Sequence, residues 1–295
     1  MTPPHICRDR GDTQADATDE QVRQAGLFAS LHRPGDPLLL ANAWDVASAV
    51  IVAAAGGQAI GTTSAGVAWS LGITDAADLG AGSNAEIVSR IRAAVSVPVS
   101  ADIEAGYGPR PEDVAATMSA VLKAGAVGVN LEDRTGDLAA PLFGVPEQAG
   151  RLAAARAAAR ELGIPAWINA RSDVFLTGTA APRQLIADVA RRADAYATAG
   201  ADSIFVPGLT DLRLLDELAA GPLPVAVMVW PGAPAVTELA SAGVARISLG
   251  SAIAQAAYAV AARATAELLG PGTYDSCAGG VGYDELNQVL ARPRS

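Results

Sequence analysis

Two acidic residues close together offer the first chemistry in this sequence. Asp102 and Glu104 follow the apolar segment 97–101, and Gly106 and Gly108 come soon after them. Residues two apart in a strand face the same side, so both carboxylates are expected to point the same way. Such groups repel each other unless a cation lies between them, and oxygen ligands suit Mg²⁺ or Mn²⁺ better than zinc. The pattern predicts a divalent-metal site; a solvated strand end is the alternative.

The composition restricts the other chemistry that this chain could perform. Its single lysine, Lys123, lies near a helix end, which argues against a Schiff-base mechanism. Its two histidines, His5 and His32, precede the first convincing strand and do not favour a histidine base or a Ser-His-Asp triad. Cys7 and Cys277 form neither a disulfide framework nor a zinc cluster. Carboxylates, arginine, hydroxyls, backbone amides and a metal remain.

Charge and hydropathy indicate where the protein acts. The 295 residues carry a net charge of −10, which argues against nucleic acid and anionic membranes as partners. The sequence contains no apolar run long enough to span a bilayer and no signal-peptide pattern at its start, so we expect a soluble, cytoplasmic protein. Residues 1–17 are polar and aperiodic and are predicted to form a mobile tail, followed by one domain over residues 18–295.

Repeated units position the acidic pair. Eight apolar strands are predicted, each followed by a helical segment, and glycine closes several of the helices. The strands lie at 38–43, 59–63, 97–104, 127–132, 166–171, 203–206, 225–229 and 246–249. This arrangement predicts a TIM (β/α)8 barrel. A doubly wound open sheet is the alternative, but no glycine-rich GxGxxG turn follows the first strand.

The eighth helical segment, residues 252–269, is apolar on more than one face. It is expected to pack against another subunit, or to be covered by the C-terminal tail, which ends in a short predicted helix at 283–290.

In a barrel, the C-terminal ends of the strands face one common site. Acidic residues and one arginine fall at those ends in the first, third, fourth and fifth strands, the second strand ends in Thr63-Ser64, and Asp75 lies in the loop after it. They are Asp45, Asp102, Glu104, Glu132, Asp133, Arg171 and Asp173. Their convergence predicts an active site there.

Several motifs, in this order, resemble the isocitrate lyase/phosphoenolpyruvate mutase superfamily over residues 37–260. They are Asn42-Ala43-Trp44-Asp45, Thr63-Ser64-Ala65-Gly66, Leu71-Gly72-Ile73-Thr74-Asp75, Asp102-Ile103-Glu104-Ala105-Gly106-Tyr107-Gly108, Leu131-Glu132-Asp133 and Ala170-Arg171-Ser172-Asp173. The resemblance implies a TIM barrel that exchanges its last helix with a neighbouring subunit, in a homo-oligomer that is a dimer of dimers. It also implies Mg²⁺, with Mn²⁺ as the alternative, and a small carboxylate substrate such as a 2-oxo acid.

The resemblance implies roles for single residues. The implied metal ligands, direct or through water, are Asp102, Glu104, Glu132 and Asp75. The implied substrate-binding residues are Trp44, Asp45, Thr63, Ser64, Ala65, Asn130 and Arg171, and the implied catalytic residues are Arg171, Thr63 and Asp102. Structural alternatives remain: a helix cap for Glu132-Asp133, a salt bridge for Arg171, and a simple turn for Thr63-Ser64.

The chain also departs from this family. Its segment 134–141 lacks the cysteine and histidine of the Lys-Lys/Arg-Cys-Gly-His loop of the lyases. Asn130 stands where histidine is frequent, Val206-Pro207-Gly208 lacks an acid, and Gly61 replaces a tyrosine. Isocitrate cleavage is therefore not expected. We expect Mg²⁺-dependent cleavage of a C–C bond through an enolate, of the oxaloacetate decarboxylase type. Phosphonopyruvate hydrolase or phosphoenolpyruvate phosphomutase chemistry and a non-catalytic barrel are the alternatives.

Overall fold

The computed structural model of the chain describes residues 10–77 and 79–291, without the side chains of residues 10–18. Within this part of the chain, nine strands form one parallel sheet. They are β1 (Leu38–Leu40), β2 (Asn42–Ala43), β3 (Ile60–Thr62), β4 (Val99–Asp102), β5 (Gly128–Glu132), β6 (Trp167–Arg171), β7 (Ser203–Phe205), β8 (Val225–Met228) and β9 (Val244–Ser248).

The sheet closes on itself through the first predicted strand. That strand is interrupted at Ala41, so that β1 pairs with β9 on one side and β2 pairs with β3 on the other. Every other strand pairs in parallel with its neighbour along the chain. The predicted TIM barrel of eight strands is confirmed, with β1 and β2 as two halves of one strand.

Helices surround the barrel and alternate with its strands. They are α1 (Arg10–Ser30), α2 (Val46–Ala54), α3 (Ser64–Ser70), α4 (Ala81–Ala94), α5 (Pro111–Lys123), α6 (Val145–Glu161), α7 (Val174–Thr177), α8 (Pro182–Thr198), α9 (Leu212–Ala219), α10 (Val236–Ser241), α11 (Ala252–Leu269) and α12 (Tyr283–Leu290). The predicted closing glycines follow α5 and α8, where Gly125 and Gly200 adopt φ values of 100° and 97°. No helix in the described residues is long and apolar enough to cross a membrane.

Helix α1 closes the N-terminal end of the barrel. Phe28 lies where a Cβ on Gly128 would come within 2.7 Å of its ring. His32 stacks on Trp167 with ring centroids 4.2 Å apart. The helix begins at Arg10, within the predicted tail of residues 1–17, and residues 1–9 lie outside the described residues. The mobility of the tail and the domain boundary at residue 18 stay predictions. An aliphatic core fills the space between the sheet and the outer helices.

Helix α11 leaves the barrel after its first turn. Ala254 is its one buried residue, while Tyr258, Leu268 and Leu269 are exposed. The C-terminal tail touches α11 through the 3₁₀ helix Asp275–Cys277 and then packs α12 on α2. The predicted short C-terminal helix is thus present. The exchange of α11 with another subunit stays a prediction.

Candidate active site

A cavity of about 140 Å³ lies at the C-terminal ends of the strands. Every strand of the barrel except β1 and β3 contributes to its lining, together with α3 and the loops that follow the strands. The lining residues are Asn42, Thr63, Ser64, Ala65, Asp75, Asp102, Asn130, Arg171, Phe205, Met228, Ser248, Gly250 and Ser251. The volume corresponds to about four to five water molecules at ~30 Å³ each, well below the size of a drug-binding pocket. The cavity therefore suits a small polar ligand.

Asp102 ends β4 inside this cavity. One carboxylate oxygen accepts a hydrogen bond from the Ser64 backbone N–H at 3.3 Å, and the other accepts from the Glu104 N–H at 3.2 Å. The Asp102 N–H donates to the Thr62 hydroxyl at 2.8 Å, which fixes the strand end. The carboxylate thus has one long hydrogen bond on each oxygen, and its other lone pairs remain available to a cation or a ligand.

Glu104 lies close to Asp102 for a different reason from the one predicted. The strand ends at Asp102, and Glu104 occupies a turn with φ of 49°, so strand alternation does not orient it and that part of the prediction is wrong. Its Oε1 accepts from the Tyr107 hydroxyl at 3.2 Å. Asn84 on α4 donates to both the Tyr107 oxygen and the Asp102 carbonyl, at 2.9 and 2.7 Å. Burial, followed by the charges of Glu104 and Asp102, raises the pKa of Tyr107.

Glu132, Arg171 and Asp173 form one ion-pair cluster beside the cavity. The Arg171 Nη1 atom lies 2.9 Å from Glu132 Oε2, and Arg171 donates hydrogen bonds to both carboxylate oxygens of Asp173, at 2.6 and 2.9 Å. Burial raises the pKa of Glu132 to about 8; Arg171 opposes this shift, and Asp173, Asp102 and Glu104 add to it. Burial alone would lower the pKa of Arg171, but Glu132 and Asp173 raise it above its ordinary value. Arg171 therefore stays positive and faces an excess of acid.

Asp133 lies behind this cluster and not in the cavity. It is completely buried, and its carboxylate accepts from the Ser172 hydroxyl, the Asp173 N–H, Arg192 and the Tyr196 hydroxyl, at 2.8, 2.9, 3.0 and 3.1 Å. Burial raises the pKa of Asp133, and the Asp173 N–H, the Arg192 charge and the Ser172 hydroxyl oppose that shift. Asp133 thus links α8 to the loop that carries Asp173. Sequence reasoning placed Asp133 among the acids of the site and missed this role, because its partners Arg192 and Tyr196 lie far along the chain and β5 ends at Glu132.

The loop that lacks the lyase cysteine folds back on itself. Arg134 and Leu142 form an antiparallel bridge, the Thr135 hydroxyl donates to the Ala140 carbonyl at 2.5 Å, and Asp137 accepts from the Ala139 N–H at 2.8 Å. Cleavage of a C–P bond would need a nucleophile from this loop, and the loop offers only Thr135 and Asp137 as weak candidates. Both side chains are engaged within the loop. Thr135 also lines a second pocket of about 460 Å³ beside the cavity, together with Glu104, Tyr107 and Phe143.

The remaining predicted residues divide into two groups. Thr63, Ser64 and Ala65 line the cavity, as does the exposed Asp75 at its rim. The Ser64 N–H is committed to Asp102. Trp44 and Asp45 are not among the lining residues, and the Asp45 side chain accepts from the Ser48 N–H at 2.7 Å to cap α2. Their role toward a substrate stays a prediction.

The donor set fits a divalent cation of the Mg²⁺ type. The described residues hold no group of three or more His, Cys, Asp or Glu side chains already arranged around one point. Mg²⁺ does not need such a cage, because it is usually bound by one or two carboxylates together with waters and substrate oxygens. Asp102 and Asp75 share the cavity, and acids outnumber the cations around it. Asp102 is therefore the residue best placed to hold the ion.

A closed parallel barrel with carboxylates and a buried arginine at the C-terminal ends of its strands has the architecture of an α/β-barrel enzyme. The chain belongs to the phosphoenolpyruvate phosphomutase family, whose model matches residues 28–269, and so to the superfamily that the motifs indicated. Members of this family are lyases and mutases.

Relatives span most of the chain. An uncharacterized protein of Mycobacterium tuberculosis is 37% identical over 227 residues, which are 76% of this chain and 81% of that protein. A structure from Burkholderia cenocepacia J2315 with a provisional assignment as a phosphonomutase is 43% identical, with a TM-score of 0.78 over 86% of this chain and 100% of the other. A second structure from that organism, provisionally a lyase/mutase, is 36% identical, with a TM-score of 0.86 over 94% and 98% of the two chains.

Relatives with named activities are more distant. The 2-methylisocitrate lyase of Salmonella typhimurium is 30% identical over 241 residues, 73% of this chain and 78% of that enzyme. The oxaloacetate decarboxylase of Bradyrhizobium diazoefficiens is 32% identical over 161 residues, about half of each chain. A phosphonopyruvate hydrolase structure with oxalate and Mg²⁺ shares the fold, with a TM-score of 0.76 at 22% identity over 92% and 94% of the two chains.

Proposed function

We propose that this protein is a Mg²⁺-dependent lyase that cleaves a C–C bond of a small 2-oxo carboxylate, with decarboxylation of an oxaloacetate-like acid as its reaction. The observation that carries this proposal is the cavity of about 140 Å³ that Asp102 and Arg171 line together. It combines a carboxylate able to hold a cation with a fixed positive charge, in a volume that admits only a small acid. Both features are needed to stabilise an enolate as a bond breaks.

Arg171 supplies the fixed charge. Three contacts to Glu132 and Asp173 hold its guanidinium, so no side-chain reorganisation is needed when negative charge develops on the substrate. Bound Mg²⁺ would act as a Lewis acid on the 2-oxo group, with Asp102 as a direct ligand and Asp75, Glu104 and Glu132 as the proposed outer ligands. Thr63, Ser64 and Ala65 form the wall against which the substrate carboxylate would lie.

The loop over residues 134–142 supports decarboxylation over isocitrate cleavage. No cysteine or histidine is present in it, and its polar side chains bond within the loop. A decarboxylase needs an electron sink more than a built-in acid, because water is able to protonate the enolate of pyruvate. The missing acid is therefore compatible with this reaction.

Cleavage or transfer at a C–P bond is the second candidate function. The provisional phosphonomutase assignment of the 43% identical Burkholderia protein favours it, and the adjoining pocket of about 460 Å³ offers additional space. The engagement of Thr135 and Asp137 within the loop argues against it, since neither is presented as a nucleophile.

A substrate panel tests the proposal. Oxaloacetate, phosphonopyruvate, 2-methylisocitrate and 2,3-dimethylmalate are each incubated with Mg²⁺ and with excess chelator, and pyruvate, phosphate and phosphoenolpyruvate are measured. Oxaloacetate also decarboxylates with free metal ions, so the rate must scale with protein concentration and be lost in Asp102→Asn at the same Mg²⁺ concentration. Chelator-resistant turnover would contradict the metal assignment. Turnover of phosphonopyruvate alone would favour the second candidate, and no turnover of any acid would favour a non-catalytic barrel.

The assembly proposed for this chain is a dimer of dimers that exchanges α11. The exposed apolar side chains of that helix, including Tyr258 and Leu269, support an intersubunit contact. Sedimentation velocity measures the mass in solution, and a monomer would contradict this assembly. A cytoplasmic location remains an expectation from the sequence.

A further inference from the structure

A row of polar side chains crosses the inside of the barrel at the level of Asp102. The strand register places Asp102 beside Asn130, Asn130 beside Asn169, and Asn169 beside Ser203. All four residues are buried, and Asp102 and Asn130 line the cavity. The row therefore extends from the candidate metal ligand on β4 to Ser203 on β7.

The hydrogen bonds along this row have one direction, which a single side chain sets. The Trp167 indole N–H is able only to donate, and it lies 2.8 Å from the Ser203 oxygen. Ser203 accepts that bond and gives its own proton to Asn169 Oδ1 at 2.6 Å. Asn169 must then present its Nδ2 to Asn130, where it donates to Oδ1 at 2.8 Å.

A second donor reaches the same Asn130 oxygen. Arg246 is buried in the barrel interior, and its Nη2 donates to Asn130 Oδ1 at 3.2 Å. A guanidinium has no acceptor, so this contact also requires that Oδ1 face Arg246. With Oδ1 held by Asn169 and Arg246, the amide presents Nδ2 to the cavity that Asn130 lines.

We propose that this relay fixes Asn130 as a hydrogen-bond donor to an oxygen of the bound acid, and that Trp167, Ser203, Asn169 and Arg246 are its positioning residues. The identity of the ligand rests on the proposed function, whereas the direction of the relay does not. An amide held in this way does not titrate. It therefore offers a permanent donor where a histidine would change its proton with pH.

Four variants test the relay through ligand binding. Asn130→Asp keeps the shape and the acceptor for Asn169 and Arg246, but it replaces the donor with an acceptor. Ser203→Ala removes the relay hydroxyl, and Ser203→Thr restores it. Ser100→Ala is the matched control, because the Ser100 hydroxyl is equally buried on β4 and has no hydrogen-bond partner among the described side chains.

We expect Asn130→Asp to weaken oxalate binding in the presence of Mg²⁺ at least about tenfold, measured by calorimetry. Ser203→Ala should raise the KM for the proposed substrate, oxaloacetate, several-fold with a smaller change in kcat. Ser203→Thr and Ser100→Ala should have the KM and kcat of the wild type. Equal oxalate affinity for Asn130→Asp and the wild type would overturn the donor assignment.

A ligand-free measurement keeps this test separate from the proposed function. In ¹⁵N spectra of the wild type, the Trp167 indole proton and the Asn169 side-chain amide should be protected from solvent exchange. Ser203→Ala should remove the Trp167 protection, and Ser100→Ala should leave it unchanged. Rapid exchange of both groups in the wild type would overturn the relay. A protected relay in a protein that binds no acid would instead contradict the proposed function, and with it the role of Asn130.

Discussion

Asp133→Asn is expected to destabilise the fold although Asp133 touches no cavity. The carboxylate accepts four hydrogen bonds, from Ser172, Asp173, Arg192 and Tyr196. An asparagine has one oxygen for these donors, so its NH₂ group must face at least one N–H or O–H. It also removes the charge nearest to the Arg192 guanidinium, whose side chain is 7% exposed.

The magnitude follows from these contacts. Removing one partner of a buried ion pair costs about 3–5 kcal/mol. Because the amide keeps some of the hydrogen bonds, we expect about 3 kcal/mol, or a melting temperature lower by roughly 6–12 °C. This is a large share of the ~5–15 kcal/mol by which domains are stable. The Asp173 N–H loses its acceptor as well, so Arg171 is less firmly held and kcat should also fall.

Calorimetric and urea unfolding measure the effect against a matched control. Glu217→Gln makes the same chemical change at the Arg183 ion pair, where the side chains are 68% and 46% exposed, and it should cost less than about 1 kcal/mol. The double variant Asp133→Asn/Arg192→Gln should recover part of the loss, since it also removes the buried guanidinium that has lost its nearer carboxylate and keeps only Asp188 at 3.5 Å. Equal melting temperatures for Asp133→Asn and Glu217→Gln would refute the reasoning.

Three further predictions concern the site and the base of the barrel. Asp102→Asn should weaken Mg²⁺ binding, measured by titration calorimetry. The loss of affinity should exceed the roughly 10–100-fold that is typical when a residue that only supports a metal ligand is replaced. Unchanged affinity would show that Asp102 is not a metal ligand. Tyr107→Phe removes the hydroxyl that donates to Glu104 and accepts from Asn84, and it should raise the half-saturating Mg²⁺ concentration about tenfold with only a small fall in melting temperature. An unchanged Mg²⁺ titration would show that Glu104 does not contribute to binding of the ion. Burial, and next the charge of Arg246, lowers the pKa of His32 from 6.5 to about 3, so the unfolded state binds more protons between these values and acid lowers stability. His32→Asn should flatten this fall of about 1.4 kcal/mol per pH unit in urea unfolding below about pH 6, and parallel curves would contradict it.

The sequence carried enough information to predict the barrel. Each strand is a short apolar run, and glycines follow α5 and α8. Each strand–helix unit can therefore be identified from its own residues alone. Asp102, Glu132 and Arg171 could be placed at the strand ends for the same reason. All strands of a parallel barrel run in the same direction, so their C-terminal ends lie at one face whatever the length of the connecting loops. No long-range information was therefore needed.

Contacts between distant segments could not be predicted in this way. Asp133 meets Arg192 across 59 residues, and nothing in either neighbourhood specifies the other. The left-handed backbone of Glu104 depends on the turn after β4, which the alternating pattern does not reveal. Asp45 is a different case. The spacing to Ser48 is a capping-box pattern, and it could have indicated the cap of α2 from sequence alone.

The closure of the N-terminal end of the barrel by α1 has a consequence for the order in which the chain folds. Phe28 rests against Gly128, and His32 rests against Trp167, partners that lie at least 100 residues further along the chain. A ribosome releases α1 first, yet its docking surface does not exist until β5 and β6 have been synthesised and paired. Helix α1 is therefore synthesised first but docks among the last elements. Until the N-terminal end of the barrel has formed, its apolar side remains exposed and available to other proteins, including chaperones.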